Sequence, residues 1–176
     1  LQYSVNAGTS WVNDDHATGD GTGVSIAGVT LSGSSSIQFR IADAAANTGN
    51  VASQAYVLDT TAPTLGTVGI ATAGTGNAND GDTVTLTFTA SETIQSPTCT
   101  MKDGGGNNMD NAVSVNNPSG NIWTCAVATN NADSDGSMTF SIAYTDIGGT
   151  AGVADTTVDD GSSVTIDNTH PTFHQF

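Results

Sequence analysis

The chain has 176 residues, 17 of them acidic and 2 basic, for a formal net charge of −15, and 36% are hydrophobic. Arg40 and Lys102 cannot form the basic patch that a phosphate backbone requires, so nucleic-acid binding is not expected, and docking on an anionic membrane is unfavourable for the same reason. No apolar run of about 18 residues could span a bilayer; the strand-like start Leu1-Gln2-Tyr3, without an initiating Met or a signal peptide, reads as a processed or excised piece of something longer.

Helix periodicity is nearly absent, and period-two alternation recurs along the whole chain. Tyr3 to Val5 and Trp11-Val12 read as a hairpin around Asn6-Ala7-Gly8. Strands follow at 24–31, at Ile37-Phe39-Ile41 and at Ala55-Tyr56-Val57-Leu58. This first module, 1–61, is short and is expected to lack its first strands, which lie upstream or come from another chain. The second module, 62–170, alternates fully. Val84, Leu86 and Phe88 are interleaved with Thr; then come Cys99 and Met101, then Trp123, Cys125 and Val127, then Met138, Phe140, Ile142 and Tyr144, with Val164 and Ile166 last. Turn-rich pieces such as Asn79-Asp80-Gly81-Asp82 and 102–108 separate these strands. Roughly seven short strands in about 110 residues fit an immunoglobulin-like sandwich. Residues 171–176 read as the start of a next module or a tail. The expected fold is therefore all-β, with tandem sandwiches of which the first is incomplete.

One segment occurs twice. Tyr56-Val57-Leu58-Asp59-Thr60-Thr61-Ala62-Pro63-Thr64 returns as Val164-Thr165-Ile166-Asp167-Asn168-Thr169-His170-Pro171-Thr172. Asp59 and Asp167 stand about 110 residues apart, the length of one small β-domain, so the segment reads as a linker of a tandem array. Cys99 and Cys125 both fall on the apolar phase of their strands, with no CxxC and no His nearby. A disulfide is expected, and with it an oxidising, extracellular setting.

Several stretches resemble the repeats of bacterial Ig-like domains. Gln2-Tyr3-Ser4-Val5-Asn6-Ala7-Gly8-Thr9-Ser10-Trp11 is similar to their first hairpin. Ile41-Ala42-Asp43-Ala44-Ala45-Ala46-Asn47-Thr48-Gly49-Asn50, with Ala46 where Gly is usual, and Tyr144-Thr145-Asp146-Ile147-Gly148-Gly149, with Gly149 where Asn is usual, are similar to their strand-end loop. Asp59-Thr60-Thr61-Ala62-Pro63 resembles their linker, and Gly81-Asp82-Thr83-Val84-Thr85-Leu86-Thr87-Phe88 their long strand. The resemblance covers nearly the whole chain. It implies a structural role in an adhesin, surface layer or other extracellular fibre, with neighbouring Ig-like modules as partners. The cysteine pair is not typical of these repeats.

In such a topology Glu92 and Asp146, each following a strand, lie at the pole where the chain enters the second module, and Asp59 reaches the same pole from the linker. Three carboxylates there would repel unless a cation stood among them, and Ca²⁺ accepts such an all-oxygen set. The resemblance points the same way, to Ca²⁺ stiffening the junction. Asp43 marks the matching loop of the first module, and Asp167 would serve a junction beyond the second. Asp80, Asp82, Asp133 and Asp135 read as turn residues. No catalytic constellation stands out: His16 and His170 read as surface residues, His170 and His174 lack helical zinc spacing, and Gly104-Gly105-Gly106 reads as a hairpin tip. Trp11 and Trp123 read as core. An enzyme is not expected. The alternatives to a fibre shaft are a filament subunit joined by strand donation, for which the tail Phe173-His174-Gln175-Phe176 is a candidate donor, and an adhesin module that binds a glycan or host protein.

Overall fold

A computed structural model describes residues 1–13, 18–19, 24–25, 29–31 and 33–173; His16, His174 and the last residues of the expected donor tail lie outside them. The described residues are all-β, with no helix. The chain divides into two compact units, 1–60 and 61–176, with the change falling inside the first copy of the repeated linker.

In the first unit, β1 (Gln2–Ser4), β2 (Val12–Asn13), β5 (Ser35–Arg40) and β6 (Ala52–Tyr56) form an antiparallel sheet in the order β2-β1-β5-β6, and β3 (Thr18–Gly19) pairs with β4 (Val24–Ser25). The first hairpin turns where Ala7 and Gly8 adopt positive φ. Buried Ser4 holds it, its Oγ accepting the Gly8 amide at 2.9 Å. Three expectations need correction. The strand expected at 24–31 does not reach Leu31: Val24–Ser25 are strand and 29–31 are not, while 26–28 lie outside the described residues. The strand at 55–58 lies earlier, as β6; Val57 is 87% exposed, so its apolar side chain belongs to linker rather than core. Trp11 is half-buried, and the Arg40 guanidinium stacks 4.1 Å from its ring centroid, a cation–π contact at the surface. Among the described residues, Ser4 is the one buried residue of this unit.

The second unit holds the hydrophobic core. Its strands are β7 (Leu65–Thr72), β8 (Asn77–Ala78), β9 (Thr83–Ala90), β10 (Thr98–Lys102), β11 (Ser114–Ser119), β12 (Ile122–Ala128), β13 (Gly136–Ser137), β14 (Thr139–Ala143) and β15 (Thr165–Ile166). One sheet runs β11-β12-β9-β7; β10 pairs with β14; β15 lies between β13 and β8, parallel to β8. Alternation decides the faces: Val84, Leu86, Phe88 and Ala90 of β9 are buried while Thr83, Thr87 and Thr89 face water. Met101, Val127, Ile142 and Ile166 fill the same core from the other strands, and half-buried Trp123 packs at its edge. The Cys99–Cys125 disulfide ties β10 to β12, so it fastens one sheet to another.

Strand β7 changes character midway. Its ladder with β9 shifts register between Gly66 and Gly69, and Thr67 there takes φ 54°. Its outer side is then covered by side chains: Asp159 Oδ2 accepts the Val68 amide at 2.7 Å and Ser162 Oγ the Ile70 amide at 2.8 Å. This covering keeps an edge strand from presenting free backbone groups.

Candidate metal centre

One loop is built three times, at 43–47, 103–107 and 146–150. In each, the first and fifth residues join through a backbone hydrogen bond (Asp43 amide to Asn47 carbonyl, Asp103 to Asn107, Asp146 to Thr150), and the fourth amide returns to the carbonyl of the aspartate. The fourth residue sits at positive φ in every copy: Ala46 at 66°, Gly106 at 81° and Gly149 at 97°. The opening aspartate closes the turn with its side chain, as an Asx residue does. Its Oδ1 accepts the amide of the fifth residue, at 2.8 Å from Asn47, 2.8 Å from Asn107 and 2.7 Å from Thr150.

The copies differ at the other oxygen. Asp43 Oδ2 accepts the Asn47 side-chain amide at 2.8 Å. Asp103 Oδ2 accepts the Asn107 side-chain amide at 3.4 Å and the Ser134 backbone amide at 2.9 Å. Asp146 is 1% exposed, yet its Oδ2 is a buried atom with no hydrogen-bond partner. An unsatisfied buried acceptor is costly, and more so on a carboxylate. The hydrogen bond from the Thr150 amide holds the Asp146 carboxyl below its usual value, against burial that pushes it up. The group is an anion whose second oxygen still requires a partner.

The backbone brings two further carboxylates to it. Asp146 bridges Ile94, the Gln95 amide donates to the Thr145 carbonyl, and Gln95 Nε2 donates to the Asp146 carbonyl. This holds the stretch after Glu92 against the loop. On the other side of Glu92, the Ser91 amide donates to the Thr64 carbonyl and Ser91 Oγ accepts the Thr64 amide, which fixes the end of the linker that carries Asp59. One carboxylate oxygen each from Asp59, Glu92 and Asp146 then lies within 4.8 Å of the others. Oxygens that share a calcium ion at about 2.4 Å stand at most about 4.8 Å apart, so the spacing suits one ion. The donors are all carboxylate, a set for a hard cation rather than for zinc or copper.

Among the described residues, Asp43 and Asp167 join no such group. Both oxygens of Asp43 are taken by its own loop, and hydrogen bonds from the Asn47 side chain and backbone lower its pKa. Asp167 accepts the Thr169 amide and lines, with Asn79, Asp80, Asn131 and His170, a polar cavity of about 370 Å³. Asp82 caps the turn at Asn79, and buried Asp133 accepts the Asn130 and Asp110 amides. Three residues matter here that the sequence analysis passed over: Asp103, Gln95 and Thr150. The recurrence of Asp followed four residues on by Asn or Thr is the signal that would have exposed the first and last; nothing local marks Gln95.

The chain matches no protein-family profile, no curated protein and no solved structure. No helix of the described residues is long and apolar enough to cross a membrane.

Proposed function

We propose that the chain is a structural length of an extracellular fibre, surface layer or adhesin shaft, built of tandem Ig-like sandwiches and stiffened where a linker meets the second unit by Ca²⁺ held between Asp59, Glu92 and Asp146. The carrying observation is that Asp59, Glu92 and Asp146 each place a carboxylate oxygen within 4.8 Å of the others, and that Asp146 is buried with its Oδ2 lacking a hydrogen-bond partner. The sheet ordered β11-β12-β9-β7 in the second unit, with β8 running parallel to β15, supports this choice of module. The disulfide suits an oxidising compartment. The ion's role is mechanical: a cation held by Asp59, Glu92 and Asp146 restrains the linker and cancels part of their mutual repulsion. This reading assigns no catalysis to the chain, and its partners are further modules of the same kind.

The test is thermal unfolding with Ca²⁺, with Mg²⁺ and with EDTA, beside sedimentation in the same buffers. The expected result is a melting temperature raised by Ca²⁺ through mass action and lowered again by EDTA, with little response to Mg²⁺, and a sedimentation coefficient that changes on chelation. Identical melting in all three buffers would refute the reading.

A second reading, self-assembly by strand addition, is favoured by β6. It forms one edge of its sheet, is exposed along almost its whole length, and its sequence Ala-Ser-Gln-Ala-Tyr has neither charge nor Pro to discourage pairing. Concentration-dependent association in sedimentation would support it, and a monomer at high concentration would remove it.

A further inference from the structure

We infer that Thr150 is the residue that keeps Asp146 open to a cation, and that an asparagine there would close the site; this rests on the Ca²⁺ reading above. The three like-built loops supply the comparison within one molecule. Where the fifth residue is Asn, its side-chain amide donates to Oδ2 of the opening aspartate, at 2.8 Å from Asn47 and 3.4 Å from Asn107. Where it is Thr150, the backbone bond to Oδ1 is kept at 2.7 Å and Oδ2 is left without a partner. The side chain at this position therefore decides whether the loop satisfies its own carboxylate or leaves one oxygen for a ligand. Burial adds to the distinction. Asp43 is exposed, so water could serve an oxygen left over there; Asp146 is 1% exposed and has no such recourse. One carboxylate oxygen each of Asp59 and Glu92 lies within 4.8 Å of one of Asp146, an all-oxygen set that a cation can bind. Thr150 is thus a positioning residue, acting through Asp146.

The experiment compares wild type, Thr150→Asn and Thr150→Ser by calorimetric titration with Ca²⁺ alone and by melting in EDTA and in Ca²⁺. Asn already occupies the corresponding place in two loops of this chain, and Ser preserves a short hydroxyl, so both variants should fold. The expected result has two parts. Thr150→Asn melts higher than wild type in EDTA, because Oδ2 gains a donor, and its Ca²⁺ affinity falls roughly 10–100-fold, the range for residues that orient metal ligands. Thr150→Ser keeps the affinity of wild type. A Thr150→Asn protein that binds Ca²⁺ as wild type does would overturn the role of Thr150 and leave the carboxylate site standing. A wild-type protein that takes up no Ca²⁺ would overturn both.

Discussion

Thr67 shows how a single residue can carry strain for its strand. It is exposed, β-branched and at φ 54°, a region that costs an ordinary L-residue about 1–2 kcal/mol. Thr67→Gly should remove that strain, at a smaller entropic loss, and raise stability by about 1 kcal/mol, read by urea unfolding; a loss of stability would show that the Thr67 side chain has a role beyond its backbone. Asp103 carries a different residue-scale prediction. The Ser134 amide, then the Asn107 amide and side chain, lower its pKa to about 2. Its folded value is below its unfolded value, so its contribution is complete above about pH 4 and is lost as pH falls toward about 2. Acid unfolding should therefore steepen across that window in wild type and less so in Asp103→Asn, whose stability is lower at neutral pH. Equal acid profiles would contradict the assignment.

At the scale of elements, the strands that sequence made plain are those with one wet face and one dry face. In β9, each apolar residue alternates with Thr, and burial follows that phase through Ala90. The same phase put Cys99 and Cys125 inward on strands of different sheets, and their disulfide closes a separation of 26 residues. Replacing both with Ala should cost roughly 3 kcal/mol, chiefly by freeing the unfolded chain; unfolding unchanged by the double substitution would show that the core alone holds the sheets together. What the sequence left hidden is contact without local pattern. The side chains that cover β7, Asp159 and Ser162, lie 91 and 92 residues from the amides they accept. Apolar residues in linkers also misled, since Val57 and Leu58 continue the pattern of β6 without continuing its strand. The loop at 103–107 looked like a plain Gly-rich tip, because three glycines drew attention from the aspartate that organises them.

For the whole molecule, the question is how so acidic a chain, at −15, puts three carboxylates together. Most of its other placed aspartates answer for themselves. Hydrogen bonds lower the pKa values of Asp43, Asp135 and Asp160, each within a turn or between neighbouring loops. Their charge is solvated by backbone amides and hydroxyls, which needs no ion. The convergence of Asp59, Glu92 and Asp146 was legible because a repeated linker located one acid and strand ends located the other two. The orphaned oxygen was not legible, because it depends on how the loop at 146–150 folds around the buried Asp146 carboxylate. The most direct measurement is a calorimetric Ca²⁺ titration of the wild-type chain against Asp146→Asn. The account predicts binding in wild type that the substitution abolishes, while the Asp146→Asn protein remains folded by circular dichroism. Undiminished Ca²⁺ binding in Asp146→Asn, or none in wild type, would contradict it.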